Sequence, residues 1–134
     1  MAKRKPKQPK TIPAITLQQP YCWLLMEGHV TTEKRTGPID YRGPVAIVAG
    51  KRHGYSDLHV VRIQRDYPDC PDIDDLTYGA IIGVVDLADC RVTDEPGMRY
   101  VWKLKKPRRL KKPKPFTGTG QLIEVEAKLV RGLV

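Results

Sequence analysis

Cysteine is scarce in this chain, and the little there is cannot cross-link it. Cys22, Cys70 and Cys90 are odd in number and far apart, and none belongs to a Cys-x-x-Cys pair or stands near a histidine at zinc spacing. A disulfide framework and a zinc module are both excluded, and the cysteines read as free thiols of a reducing compartment. Histidine is equally sparse: His29, His53 and His59 lack ligand spacing, although folding can bring the last two together. No metal and no cofactor is therefore expected. Long apolar runs are missing too. None approaches the roughly 18 residues of a membrane span, and the basic start MAKRKPKQPK is not followed by the apolar stretch of a secretory signal. These absences imply a cytoplasmic protein with no membrane partner.

Negative charge is the other shortage. Twenty-four Lys and Arg stand against 15 Asp and Glu, a net +9, which favours anionic partners such as nucleic acid. The surplus is concentrated. Residues 1–10 hold Lys3, Arg4, Lys5, Lys7 and Lys10 with two prolines and almost nothing to bury, which predicts a disordered basic arm. The remaining residues, 11–134, are the size of one domain, and a chain of this length buries roughly 68% of its unfolded surface. Lys103 to Lys114 is a second concentration, with eight basic residues in twelve positions. Such density costs self-repulsion that an anionic partner would relieve. Between them RDYPDCPDIDDL, Arg65 to Leu76, is acidic and broken by proline, as expected of a surface loop.

The apolar pattern predicts short elements of mixed type. PAITLQQ (Pro13 to Gln19) reads as a strand, followed by a helix of barely two turns that starts at Pro20 and stops at Gly28. Thr31 to Arg35 reads as a strand, Gly43 and Pro44 as a turn, and Val45 to Ala49 as a buried strand. Ser56 can cap a helix to about Arg65, with Val60, Ile63 and Tyr67 on one face. AIIGVVDLADC (Ala80 to Cys90) is the strongest strand, and Tyr100 to Leu104, Arg108 to Lys112 and Gln121 to Val125 give three more. The fold class is α+β, a small mixed β-barrel with a short helix after the first strand and one or two further short helices.

Glu33 and Arg35 are the candidate site. On a strand, residues two apart point the same way, so this pair offers a carboxylate and a guanidinium to one surface. A planar guanidinium grips a phosphate or a base edge in two places, and a carboxylate accepts from an exocyclic amine or a ribose hydroxyl. On open surface the same pair is a weak ion pair. Gln19 has two readings, as a reader of a base edge or as the cap of a turn. Arg42, Lys51 and Arg52, at the ends of the Val45 to Ala49 strand, and Lys103, Lys105 and Arg108, in the second cluster, are candidate phosphate contacts. Tyr100 and Trp102 either pack in the core or stack on a base at the cleft mouth. Trp23 reads as core.

Taken in order, ITLQQPYCWLLMEG, Glu33-x-Arg35, YRGPVAIVAGKR, GAIIGVVDLADC, YVWKLKKPRRL and FTGTGQLIEV resemble the ASCH domain of the PUA-like superfamily, from about Thr11 to Val125. The resemblance implies a small barrel with a cleft into which a Gly-x-Lys-x-x-Glu-x-Arg segment projects, in a family whose members bind RNA or act on nucleotides. Gly28, Glu33 and Arg35 match that segment, and Arg42 and Gly43 match its downstream Tyr-Arg-Gly element. The lysine does not match, because Val30 stands there. One branch of the superfamily hydrolyses N4-acetylcytidine with a Lys-x-x-Thr-x-Arg motif, in which the lysine activates the threonine. Here those positions are Val30 and Glu33, so neither nucleophile nor activating amine is in place, and no catalytic residue is assigned. The implied function is nucleic-acid binding, RNA before DNA. The alternatives are a hydrolase of RNA or of a modified nucleoside, and a non-catalytic interaction subunit.

Overall fold

The structure, a computed structural model, describes residues 10–52, 55–118 and 122–134. Residues 1–9 of the basic arm, His53, and Gln121 at the start of the last expected strand lie outside the described residues. Within them the chain forms β1 (Thr11–Leu17), α1 (Tyr21–Met26), β2 (Thr32–Arg35), β3 (Gly43–Ala49), α2 (Asp57–Asp66), β4 (Ala80–Val92), β5 (Tyr100–Pro115) and β6 (Ile123–Glu126). Short 3-10 turns add Ile73–Asp75 and Ala127–Val130. None of the described helices is long and apolar enough to cross a membrane.

The strands make one mixed sheet in the order β2-β5-β4-β3-β1-β6. β1 and β3 run parallel, with Ala14 opposite Ala46, and the other neighbours are antiparallel. The α+β class is as expected, but the closed barrel is not formed: β2 and β6 are the two edges, and no ladder joins them among the described residues. The reason lies in their length. β2 spans only Tyr100–Lys103 of β5, and β6 spans only Thr11–Ala14 of β1. Neither provides the seam that closure needs, in which a staggered register is carried all the way round.

Both faces of the sheet are buried, which is why its central strands are apolar throughout. In β3, Val45, Ile47 and Ala49 enter one core while Ala46 and Val48 enter the other. β4 serves both cores by means of a bulge. Ile47 lies opposite Gly83 and Val48 opposite Ile81, so Ile82 is an extra residue and the alternation changes phase there. Ile81 and Val84 consequently face one core, and Ile82, Val85 and Leu87 face the other. Gly83 is required at this point, since a Cβ on it would lie 2.2 Å from the Arg108 carbonyl oxygen and 2.5 Å from Met26 Cε.

Every residue of α1 after Tyr21 is buried. Cys22, Leu25 and Met26, at helical spacing, pack on the sheet beside Trp102 and Leu104. Trp23 and Leu24 point the other way, into a smaller core with Cys70, Leu76, and Ile63 and Tyr67 from the region of α2. Pro20 occupies the position before the first helical turn instead of opening it, and Gly28, with φ of 80°, ends the helix. Ser56 caps α2 by accepting from His59 N at 3.2 Å.

Two expectations fail at prolines. Gly43 and Pro44 begin β3 instead of turning: they lie opposite Leu87 and Asp86 of β4, while the β1 ladder starts only at Ala46, so the β1 side of Pro44 is an edge where proline is tolerated. The strands expected at Tyr100 to Leu104 and Arg108 to Lys112 are one strand of 16 residues. Beyond Lys103, β2 has ended and one side of β5 is a sheet edge, where proline is tolerated. Pro107 and Pro113 also fall where the β4 ladder is irregular, the first beside Lys106, whose φ is 54°.

Candidate nucleotide-binding cleft

Glu33 and Arg35 line a cleft of about 560 Å3 together with Thr16, Gln18, Tyr21, Tyr55 and Met98. The register of β2 on β5 places them there. Glu33 is opposite Trp102 and Arg35 opposite Tyr100, and directly opposed residues share a face, so both point to the side on which Trp102 is buried. The Arg35 guanidinium carbon lies 5.5 Å from the centroid of the Trp102 ring, a cation–π contact with a buried indole. The Arg35 Nε is 3.3 Å from Glu33 Oε1, with the two side chains 19% and 16% exposed. These are sheltered, prearranged groups at a concave surface, unlike the solvated pairs that contribute little.

Burial raises the pKa of Glu33 above its ordinary value, against the pull of Arg35 and of a hydrogen bond with Tyr21. The Tyr21 hydroxyl donates to the Thr32 carbonyl. It has one proton for two acceptors, so the carboxylate of Glu33 receives only a share of it. Tyr21 is itself held well above the usual phenol range, by burial first and by Glu33 second. Tyr55 moves in the same direction for the same reasons. The cleft thus presents a guanidinium held over an indole, a carboxyl whose pKa burial raises, and two phenol rings whose hydroxyls are harder to ionise than usual. Lys34 also borders it, but its ammonium is drawn to Glu95 at 2.6 Å.

The other sequence candidates are scattered. Gln19 is 2% exposed and lies outside the cleft. Its Oε1 accepts from Trp23 N at 2.9 Å and its Nε2 donates to Thr77 O at 3.0 Å, so it caps α1 and ties it to the loop before β4. Its neighbour Gln18 lines the cleft instead. Arg42 Nη1 donates to Ile39 O at 2.8 Å and Tyr41 O at 2.9 Å, away from the cleft. Lys51 and Arg52 are exposed at the end of β3, shortly before Tyr55. Lys103 and Lys105 are exposed on β5, whereas the fork of Arg108 is committed to the fold. It donates to Leu133 O at 2.8 Å and Lys106 O at 2.6 Å, and it meets Asp86 Oδ1 at 3.0 Å. Trp102 is core, with its indole N–H donating to Gly37 O at 3.3 Å. Trp23 is core as well.

Among the lining residues that escape the sequence reading are Thr16, Gln18, Tyr21, Tyr55 and Met98. Tyr21 left a trace, since it directly follows the Gln-Pro pair that precedes α1, where a side chain projects from the helix start. Tyr55 and Met98 arrive from distant loops, and no spacing rule joins them to Glu33. A scan of the chain against models of known protein families finds no match, and a search of the curated proteins finds none either.

Proposed function

We propose that this chain is an RNA-binding module that holds one nucleotide in the cleft, with Arg35 and Glu33 reading the base and the tyrosine rings packing on it. The observation that carries this is the pairing of a Trp-backed guanidinium with a partly desolvated carboxyl on the wall of a cavity whose size lies within the range of small-ligand sites. Arg35 supplies donors in a fixed plane, Glu33 supplies an acceptor or, when protonated, a donor, and aromatic faces accept any base by stacking. The resemblance to the ASCH domain supports the same assignment, and we infer that the six-stranded sheet is a PUA-like barrel left open between β2 and β6. The net charge of +9 supplies the attraction for a polyanion.

The test has two stages. Protein purified without nuclease is examined for bound nucleic acid by absorbance ratio and by sensitivity to ribonuclease. Affinities are then measured by fluorescence anisotropy over a panel of short oligonucleotides for the wild type and for Arg35→Ala. The expected result is RNA binding whose preference among oligonucleotides flattens in the variant. Uniform weakening across the panel would make Arg35 one more phosphate contact and sink the recognition role.

A further inference from the structure

A second concave surface lies apart from the cleft and shares no lining residue with it. It is a groove of about 530 Å3 between the far half of β5 and the C-terminal 3-10 turn. Its floor is apolar, made by Leu110, Leu129 and Leu133, which pack against the second core. Its walls carry Arg109, Lys111, Lys112, Lys114, Lys128 and Arg131. Two of these cations are answered within the fold, Arg109 by Glu27 at 2.8 Å and Lys128 by Glu126 at 2.9 Å. Lys111, Lys112, Lys114 and Arg131 form no ion pair among the described residues.

The local backbone explains how adjacent lysines come to line one groove. From Arg109 to Lys114 β5 advances five residues while its partner advances only from Gly83 to Ile81. The surplus residues leave the line of the sheet, so Lys111 and Lys112 escape the alternation that would send one to each side. The cations do not stop at the groove. An adjoining concavity shares Lys128 and Arg131 and is bordered by Lys10, while Lys103 and Lys105 lie exposed farther back along β5.

We propose that this groove is a track for a phosphodiester backbone, a contact independent of sequence that lies beside the nucleotide cleft and rests on the RNA-binding reading of that cleft. Four cations without an ion pair among the described residues, Lys111, Lys112, Lys114 and Arg131, line one groove and match by charge complementarity a polymer with one negative charge on every unit. Contacts to phosphates carry no sequence information, so the groove contributes affinity and the cleft preference.

The experiment compares the full chain, the triple variant K111A/K112A/K114A and Arg35→Lys, using a labelled oligouridylate and a panel of mixed sequences at several salt concentrations, with poly-glutamate as competitor. Each lysine that ceases to neutralise a phosphate of single-stranded RNA lowers the slope of log affinity against log salt by about 0.7, so the triple variant should lose about 2.1. Between about 50 and 200 mM salt, the wild type should therefore lose roughly 18-fold more affinity than the variant. The loss should be equal across sequences, and the melting temperature should hold or rise as repulsion is relieved. An unchanged slope in a variant that still binds with wild-type preference overturns the track and leaves the cleft reading standing. A reduced slope together with no effect of Arg35→Lys upholds the track and overturns the cleft reading. Absence of RNA binding by the full chain removes both, and displacement of RNA by poly-glutamate at equal charge assigns the groove to an acidic protein and overturns the proposal.

Discussion

Replacing Arg35 by lysine isolates the shape of its side chain from its charge. Three features depend on that shape: the flat group over Trp102 at 5.5 Å, the Nε placed 3.3 Å from Glu33, and the two-pronged donor edge of the guanidinium. Lysine keeps the positive charge and loses the plane and the fork. A good bidentate contact to a base is worth roughly 1 to 3 kcal/mol of discrimination by analogy with the DNA grooves. At 1.4 kcal/mol for each factor of ten, Arg35→Lys should lower affinity for the preferred oligonucleotide by about 5- to 140-fold. Affinity for the poorest should hardly move, because its phosphates still meet a cation. The salt slope should also stay constant, as no charge is removed. Fluorescence anisotropy at several salt concentrations gives affinity, preference and slope together, and circular dichroism establishes that the variant is folded. If the variant retains both the affinity and the preference of the wild type, the guanidinium reads nothing and its stacking on Trp102 is purely structural.

Glu33→Gln tests the electrostatics of the cleft. With its folded pKa raised above 4.5, Glu33 binds a proton more tightly in the folded protein than in the unfolded chain, so stability should fall as pH rises through the window just above that value, by at most about 1.4 kcal/mol per pH unit. Denaturant unfolding across that window should show this component in the wild type and not in Glu33→Gln. Gly83→Ala should destabilise by about 1 to 3 kcal/mol, because the new methyl meets the Arg108 carbonyl at the bulge, and calorimetry showing a wild-type melting temperature would refute the close approach described there. Deleting residues 1–9 removes Lys3, Arg4, Lys5 and Lys7 and should lower the salt slope by about 2.8 with no change in oligonucleotide preference, as read in the same binding assay.

Local signals in the sequence were dependable where one element decides its own form. VAIVA and AIIGVV carry apolar side chains at nearly every position and are the central strands, and Ser56 caps the helix it precedes. The spacing of Glu33 and Arg35 dictated their shared face, since alternation needs no knowledge of the partner strand. What could not be read depends on distant pairing. The prolines of β5 break the strand pattern when that stretch is seen alone, yet they are harmless once the β2 ladder is known to stop at Thr32, opposite Lys103. Whether the sheet closes rests on the length of two edge strands, which pattern fixes only to within a residue or two. Gln19 looked equally suited to base reading and to capping, and its burial against Trp23 and Thr77 decided for capping. The tyrosines of the cleft come from α1 and from the segment before α2, and they meet only because β1 and β3, whose ends they follow, are paired in parallel with Leu17 opposite Ala49.

The complete burial of α1 beyond its first residue ties the cleft to the cooperativity of folding. A helix of six residues is far too short to persist in water, so it exists only while the sheet and the α2 layer hold it from both sides. Its first residue is Tyr21, which contacts Thr32 and Glu33, so the wall of the cleft has no life of its own as a partly ordered loop. The amide protons of Leu24 and Glu27, bonded to Pro20 O at 3.1 Å and Trp23 O at 2.9 Å, should therefore exchange with solvent as slowly as those of the central strands, which hydrogen exchange checks. On the proposed reading, ligand binding in the cleft draws on global stability, and mutations deep in either core should change occupancy by changing how much of the protein is folded, without altering the chemistry of the cleft.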